Sequence, residues 1–154
     1  MKPLARRELL LAALGAAALA PVRAAQALLP TPASLAKELA AAQGQGRALV
    51  VMFSTPGCPW CKLVRQSYLA PLRAQGQPVV EVDMLGAAPL AGFDGAATTG
   101  AQLARALHVG VAPTVLFFGR GGRELAHRLP GVPLPDFYGA YLQERLDAAN
   151  QAAA

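Results

Sequence analysis

Two cysteines constrain this chain most, because both lie within one short stretch and the sequence contains no other cysteine. The stretch reads Val50-Val51-Met52-Phe53-Ser54-Thr55-Pro56-Gly57-Cys58-Pro59-Trp60-Cys61-Lys62. Its apolar, β-branched beginning predicts a buried strand, and the small residues that follow predict a turn. The periodicity of the apolar residues after the cysteine pair predicts a helix. A strand that delivers a C-x-x-C pair to the start of a helix is typical of a redox site.

The spacing of Cys58 and Cys61 suits thiol–disulfide exchange. Two thiols three positions apart at a helix start can form a disulfide without a large movement of the backbone. The positive end of the helix dipole favours a thiolate at Cys58, and Pro59 fits the first helical position, where an N–H would be unbonded anyway. Cys61 lies nearly one turn deeper and is expected to be shielded. We therefore predict that Cys58 is the attacking nucleophile and Cys61 the resolving thiol.

A C-x-x-C pair can also serve a structural, zinc-binding or haem-binding role. A purely structural disulfide here would close a very small loop and would gain little entropically. A zinc site needs four ligands, and the two histidines, His108 and His127, do not supply a matching pair. A c-type haem site needs histidine directly after the second cysteine, where the chain has Lys62. The residues favour a redox pair, while a structural pair and a metal-binding pair stay open.

The first 27 residues have the pattern of an export signal. Lys2, Arg6 and Arg7 precede an apolar run over residues 9–20, which is short for a bilayer span, and Ala25-Gln26-Ala27 is an A-x-A cleavage signature. We predict a signal peptide over residues 1–27 and one domain over residues 28–154, with cleavage after Ala24 and an uncleaved membrane anchor as alternatives. The arginine pair resembles a twin-arginine signal. The expected location is a bacterial periplasm, where disulfide chemistry is routine.

The charge balance argues against one class of partner. The formal net charge is +5, and four of the 14 basic residues fall within residues 1–27. No basic cluster with interleaved aromatic residues occurs in the chain, so we do not expect nucleic-acid binding.

The hydrophobic pattern predicts an α/β domain with a central mixed sheet of about four strands flanked by helices. Lys62, Arg65 and Gln66 are expected to face water, and Pro71 to kink or end its helix. Ser34, and Thr99 with Gln102, predict helix starts. The predicted order is a helix from residue 35 to about 43, a strand at 47–54, a helix at 59–69, a strand at 78–84, a loop at 85–97, a helix at 100–108, strands at 115–118 and 123–129 around a turn at 119–122, and a helix at 135–149.

Over roughly residues 34–150 the sequence resembles the thioredoxin fold. Three pieces carry the resemblance in order: Cys58-Pro59-Trp60-Cys61-Lys62, then Val111-Ala112-Pro113-Thr114-Val115-Leu116-Phe117-Phe118, then the glycine-rich hairpin with Gly131 and the last helix. The resemblance implies that Pro113 is cis and lies beside the cysteines. It also implies that the backbone of Ala112 is free to pair with an extended substrate segment.

The same resemblance implies a substrate-contacting site around the cysteine pair. Gly57, Pro59 and Trp60 would shape one wall, and Ala112, Pro113 and Thr114 would form the opposite wall.

The chain also departs from cytoplasmic thioredoxins. Pro59-Trp60 stands where they have Gly-Pro, and Met52 stands where they bury an aspartate. Glu81 and Asp83 on the second strand are the acidic residues that could take the place of that aspartate.

Together these features predict a monomeric, exported thiol–disulfide oxidoreductase that reduces or oxidises protein disulfides, with reduction as the favoured direction. It would need no metal and no cofactor beyond the Cys58–Cys61 disulfide, and it would exchange electrons with a membrane partner. The alternatives are a non-catalytic peptide- or partner-binding module on the same fold, and a metal-binding carrier.

Overall fold

The computed structural model describes residues 28–154, and the predicted signal peptide at residues 1–27 lies outside them. The helices are α1 (Leu35–Gly44), α2 (Pro59–Val64), α3 (Ala70–Ala74), α4 (Gly100–Ala106) and α5 (Tyr138–Ala153). The strands are β1 (Leu49–Ser54), β2 (Val79–Asp83), β3 (Pro89–Ala91), β4 (Ala97–Thr99), β5 (Thr114–Gly119), β6 (Arg123–Glu124) and β7 (Leu129–Pro130). A π-helical turn, Arg65–Leu69, joins α2 to α3, and single 3₁₀ turns lie at Arg120–Gly122 and Pro135–Phe137.

The central sheet is mixed, and its strand order is β2-β1-β5-β6, with β7 also pairing with β5. Strand β1 runs parallel to β2 and antiparallel to β5. Strands β6 and β7 pair with opposite ends of β5 and so share one edge position. The predicted α/β fold with a mixed sheet of about four strands is therefore confirmed.

The sheet carries a hydrophobic core on each face because every residue of β1 and β5 is buried. Alternate residues of a strand point to opposite faces, so one apolar run supplies both cores. Val50 and Met52 pack with α2 and α5, whereas Val51 and Phe53 pack with α1 and α4. This sandwich fixes the carboxyl end of β1, from which the cysteine segment emerges.

Two helix starts match their predicted caps. The side chain of Ser34 accepts a hydrogen bond from the backbone N–H of Lys37, and the hydroxyl of Thr99 accepts one from the N–H of Gln102. These bonds satisfy donors that a helix end would otherwise leave unpaired.

The chain differs from the predicted pattern at the helix that follows the cysteines. The predicted alternative in which the helix ends at Pro71 is wrong, because helical structure continues to Ala74 through the π turn. In that turn the N–H of Ala70 bonds to the carbonyl of Arg65, five residues back. The wider turn places Pro71 in the first turn of α3, where a missing N–H is tolerated.

A small β-hairpin spans residues 89–99, so the prediction of a loop at 85–97 is wrong at residues 89–91 and 97. Strands β3 and β4 pair in antiparallel register, and Ala91 bridges to Ser34 at the start of α1. The predicted strand at 123–129 is also interrupted. Its middle turns out of the sheet, and the Arg128 guanidinium there donates to the carbonyl of Leu107, 2.7 Å away.

Candidate active site

The two cysteines are joined in a disulfide at the start of α2. Their Cα atoms are 5.2 Å apart, and Cys58 occupies the N-cap position with Pro59 directly after it. The backbone N–H of Cys61 donates to the sulfur of Cys58 at 3.1 Å. This donor and the helix dipole would also stabilise a thiolate on Cys58 after reduction.

The two sulfur-bearing residues differ in access to solvent. Cys61 is fully buried, whereas Cys58 is partly exposed. The shielding predicted for Cys61 is therefore confirmed. Since exchange begins with attack at an accessible sulfur, this difference in exposure fits the predicted order, in which Cys58 reacts first.

Gly57 sets the turn that presents Cys58. Its φ of 71° lies in the left-handed region, which glycine adopts without steric cost. Next to it, Pro59 is exposed and Trp60 is 48% exposed. These three residues surround Cys58 on the side of the turn and the helix start.

The segment before β5 meets Cys58 from the other side. The Ala112–Pro113 peptide bond is cis, as the resemblance implied, and the Ala112 carbonyl oxygen lies 4.0 Å from the Cys58 sulfur. Within the described part of the chain, neither backbone polar group of Ala112 hydrogen-bonds to another backbone group. Both groups remain available to an extended peptide.

Thr114 supports this segment from behind. It is buried, and its hydroxyl donates to the carbonyl of Val111 at 2.7 Å. The N–H of Gly131 donates to the carbonyl of Pro113 at 2.7 Å. Val111 itself is 45% exposed, so it adds apolar surface on this side of Cys58. The sequence prediction did not include Val111 among the site residues.

A cleft of about 570 Å³ opens on the opposite side of Cys58. Its charged lining consists of Lys62 and Arg65 from the helical segment and of Glu81 and Asp83 from β2. The described residues thus bring two cations and two anions to the same cleft as the reactive sulfur.

His108 and His127 are both exposed, and neither lines the cleft. Among residues 28–154, no three His, Cys, Asp or Glu side chains come together as a metal site would require. In the same residues, no helix combines the length and the hydrophobicity needed to cross a membrane.

Comparison with protein families decides the membership of this chain. The family model of the thioredoxin-like domain matches residues 35–145, which is most of the sequence. The chain belongs to the thioredoxin-like domain family. No curated protein matches it.

Solved structures show the same fold at low identity. Fasciola hepatica thioredoxin is 20% identical with a TM-score of 0.52, over 77% of this chain and 97% of that one. Oxidised mitochondrial thioredoxin 3 from Saccharomyces cerevisiae is 17% identical with a TM-score of 0.51, over 77% and 93%. Oxidised thioredoxin O2 from Arabidopsis thaliana is 18% identical with a TM-score of 0.51, over 78% and 96%.

A thioredoxin-like domain with a C-x-x-C disulfide at a helix start is a thiol–disulfide oxidoreductase, and the predicted enzyme class is confirmed.

This thioredoxin-like domain also contains an ion pair that the sequence prediction missed. Arg65 was expected to face water, but its side chain is only 18% exposed. Its Nε and terminal nitrogen donate to the two carboxylate oxygens of Glu81 at 2.7 and 2.5 Å. The available signal was the position of Arg65, four residues after the buried Cys61 and thus near the same helix face.

Proposed function

We propose that this thioredoxin-like domain is an exported enzyme that reduces disulfides in other proteins. The observation that carries the proposal is the difference in access between partly exposed Cys58 and buried Cys61. Exposed apolar groups on Trp60 and Val111 suit an extended polypeptide substrate, as do the backbone groups of Ala112 beside the Cys58 sulfur, which bond to no other backbone group of the described residues.

The reaction runs in two exchange steps from the reduced pair. The Cys58 thiolate attacks one sulfur of the substrate disulfide, which forms a mixed disulfide and releases one substrate thiolate. Cys61 then loses its proton and attacks the Cys58 sulfur, which forms the Cys58–Cys61 disulfide and releases the second substrate thiolate. Two electrons pass from the pair to the substrate, and the released thiolates take up protons.

The charges around Cys58 support reduction as the direction. A strong oxidant stabilises its reduced form, most simply by holding the nucleophilic cysteine as a thiolate. Here the two cations of the cleft face two anions, so the lining has no excess of positive charge. The enzyme works as a monomer without a further cofactor, and a membrane dithiol partner regenerates the reduced pair.

The proposed location rests on the pattern of residues 1–27. Protein recovered from the periplasmic fraction of an expressing bacterium should begin at Leu28 or at Ala25. An N-terminus still at Met1 in that fraction would contradict removal of a signal peptide.

One experiment tests the proposed reaction. Reduced protein is mixed with insulin, whose disulfides serve as the probe, and its reduction potential is measured by equilibration with glutathione. We expect insulin reduction and a potential near about −270 mV, rather than the roughly −120 mV of a strong periplasmic oxidant.

Two cysteine variants assign the roles. Cys61→Ser should accumulate a mixed disulfide through Cys58, because the resolving thiol is missing. Cys58→Ser should form none and should lose insulin reduction completely. A wild-type pair that does not cycle would refute the enzyme and leave the non-catalytic binding module.

A further inference from the structure

A semi-buried polar network lies beside the disulfide, between the helical segment and β2. Arg65 donates two hydrogen bonds to the Glu81 carboxylate, and the Ser54 hydroxyl donates a third at 2.6 Å. The side chains of Arg65 and Glu81 are 18% and 13% exposed. Charges with so little solvent around them are screened less than surface pairs, so their fields reach neighbouring groups more strongly.

The network occupies the face of the sheet on which α2 packs. Glu81 pairs in register with Met52 of β1. Met52 lies in the hydrophobic core on this face of the sheet, together with Val50. Arg65 begins the π turn immediately after α2. The hydrogen bond from Arg65 to Glu81 is the main cause that raises the pKa of Arg65, which keeps the guanidinium charged.

Cys58, Arg65 and Glu81 line the same cleft, so the sulfur and both charged side chains share one local environment. The remaining charged groups of that cleft are Lys62 and Asp83. On the other side of Cys58, residues 109–114 contain no ionisable side chain. A nearby cation stabilises a thiolate, and a nearby anion destabilises it.

We propose that Arg65 and Glu81 are positioning residues that set the reactivity of Cys58 by opposing charge. Arg65 raises the thiolate fraction of Cys58, and Glu81 lowers it. Their pairing holds that fraction between the values that either charge alone would produce. This inference rests on the proposed function, because it concerns the nucleophile of the same exchange reaction.

The test measures the pH dependence of Cys58 alkylation by iodoacetamide in the Cys61→Ser background, where Cys58 is the sole thiol. Glu81→Gln should lower the pKa of Cys58 and raise its alkylation rate at acidic pH about three- to tenfold. Arg65→Gln should raise that pKa and lower the rate by a similar factor. The double variant should return close to the parent.

The opposite directions of the two expected pKa shifts distinguish an electrostatic effect on Cys58 from a purely structural one. If the pair only held the helix against β2, both single variants would loosen the site and would shift the alkylation profile in the same direction. Arg65→Lys keeps the positive charge while losing the two-pronged geometry, so it should stay close to the parent. It also provides a variant that is more conservative for folding.

A second glutamate–arginine pair offers a matched control. Glu124 and Arg128 lie near β6, at the sheet edge opposite β2, and their side chains are each 29% exposed. Glu124→Gln should leave the alkylation profile unchanged. Equal effects of Glu81→Gln and Glu124→Gln, shifts of one sign in both single variants, or a profile for Arg65→Lys that matches Arg65→Gln would overturn the proposal.

The measurement is independent of turnover. Alkylation reports the titration of Cys58 even in a protein that fails to reduce insulin. If the protein does not reduce insulin but the two variants shift the Cys58 alkylation profile in opposite directions, only the proposed function is refuted. If the protein reduces insulin but the opposite shifts are absent, only this inference is refuted.

Discussion

Gly100 stands at the closest approach between α4 and the carboxyl end of β2. A Cβ atom at this position would fall inside contact distance of the backbone oxygen of Asp83, which cannot swing away as a side chain could. Gly100→Ala should therefore lower the free energy of unfolding by about 2–3 kcal/mol through overpacking. Urea unfolding of the oxidised protein measures the change.

Gly44 is the matched control for that substitution. It ends α1, and nothing lies within 4 Å of the Cβ position. Gly44→Ala should leave the free energy of unfolding unchanged or raise it by up to about 1 kcal/mol, because alanine restricts the unfolded chain. Equal losses in the two variants would contradict the steric explanation for Gly100.

At the scale of elements, the sequence predicted the helices and strands that are specified by neighbouring residues, but it did not predict the hairpin that depends on tertiary packing. The caps at Ser34 and Thr99 and the apolar run of β1 are readable from neighbouring residues, and they match the structure. The β3–β4 hairpin has strands of only three residues with no apolar alternation. Its order comes from tertiary contacts, which a pattern within the segment does not contain.

Phe93 packs this hairpin against the central sheet. Its ring packs on Phe118, with centroids 4.4 Å apart, and the ring also closes over Gly122. Phe93→Ala should cost about 2–3 kcal/mol of unfolding free energy and should speed amide hydrogen exchange within β3 and β4. The alkylation rate of Cys58 should stay unchanged, since the hairpin does not line its cleft.

Leu85→Ala provides the comparison for the hairpin. Leu85 precedes the same segment but is 68% exposed, so its removal should alter neither stability nor exchange appreciably. Exchange in β3 and β4 that is equally fast in both variants, or unaltered in Phe93→Ala, would show that another contact orders the hairpin.

For the whole molecule, the predictable part of the site is the part encoded in contiguous residues. The C-x-x-C pair and the Pro113 strand start are such motifs, and the fold brings them together. The Arg65–Glu81 pair joins residues from two elements, and it depends on the β1–β2 register and on how the helix packs. Neither quantity can be read from a single sequence.

The stability of the whole domain should also carry an alkaline limit set by Tyr138. This residue is 2% exposed, and its hydroxyl has no partner among the described residues. Burial, and secondarily the neighbouring Tyr68, raises the pKa of Tyr138. The unfolded chain releases this proton near pH 10 while the folded chain retains it, so the free energy of unfolding should fall as pH rises above about 10.

Tyr138→Phe removes both the titration and the unpaired hydroxyl. The variant should match or exceed the parent at pH 7, by up to about 1 kcal/mol, because no buried polar group is left unsatisfied. Between pH 10 and 11 it should lose up to about 1.4 kcal/mol less than the parent, which corresponds to one proton. Tyr141→Phe, on the same helix at a position that is 40% exposed, should follow the parent curve. Urea unfolding at pH 7, 10 and 11 measures these differences, and identical pH slopes for Tyr138→Phe and the parent would show that the phenol of Tyr138 titrates alike in the folded and unfolded chains.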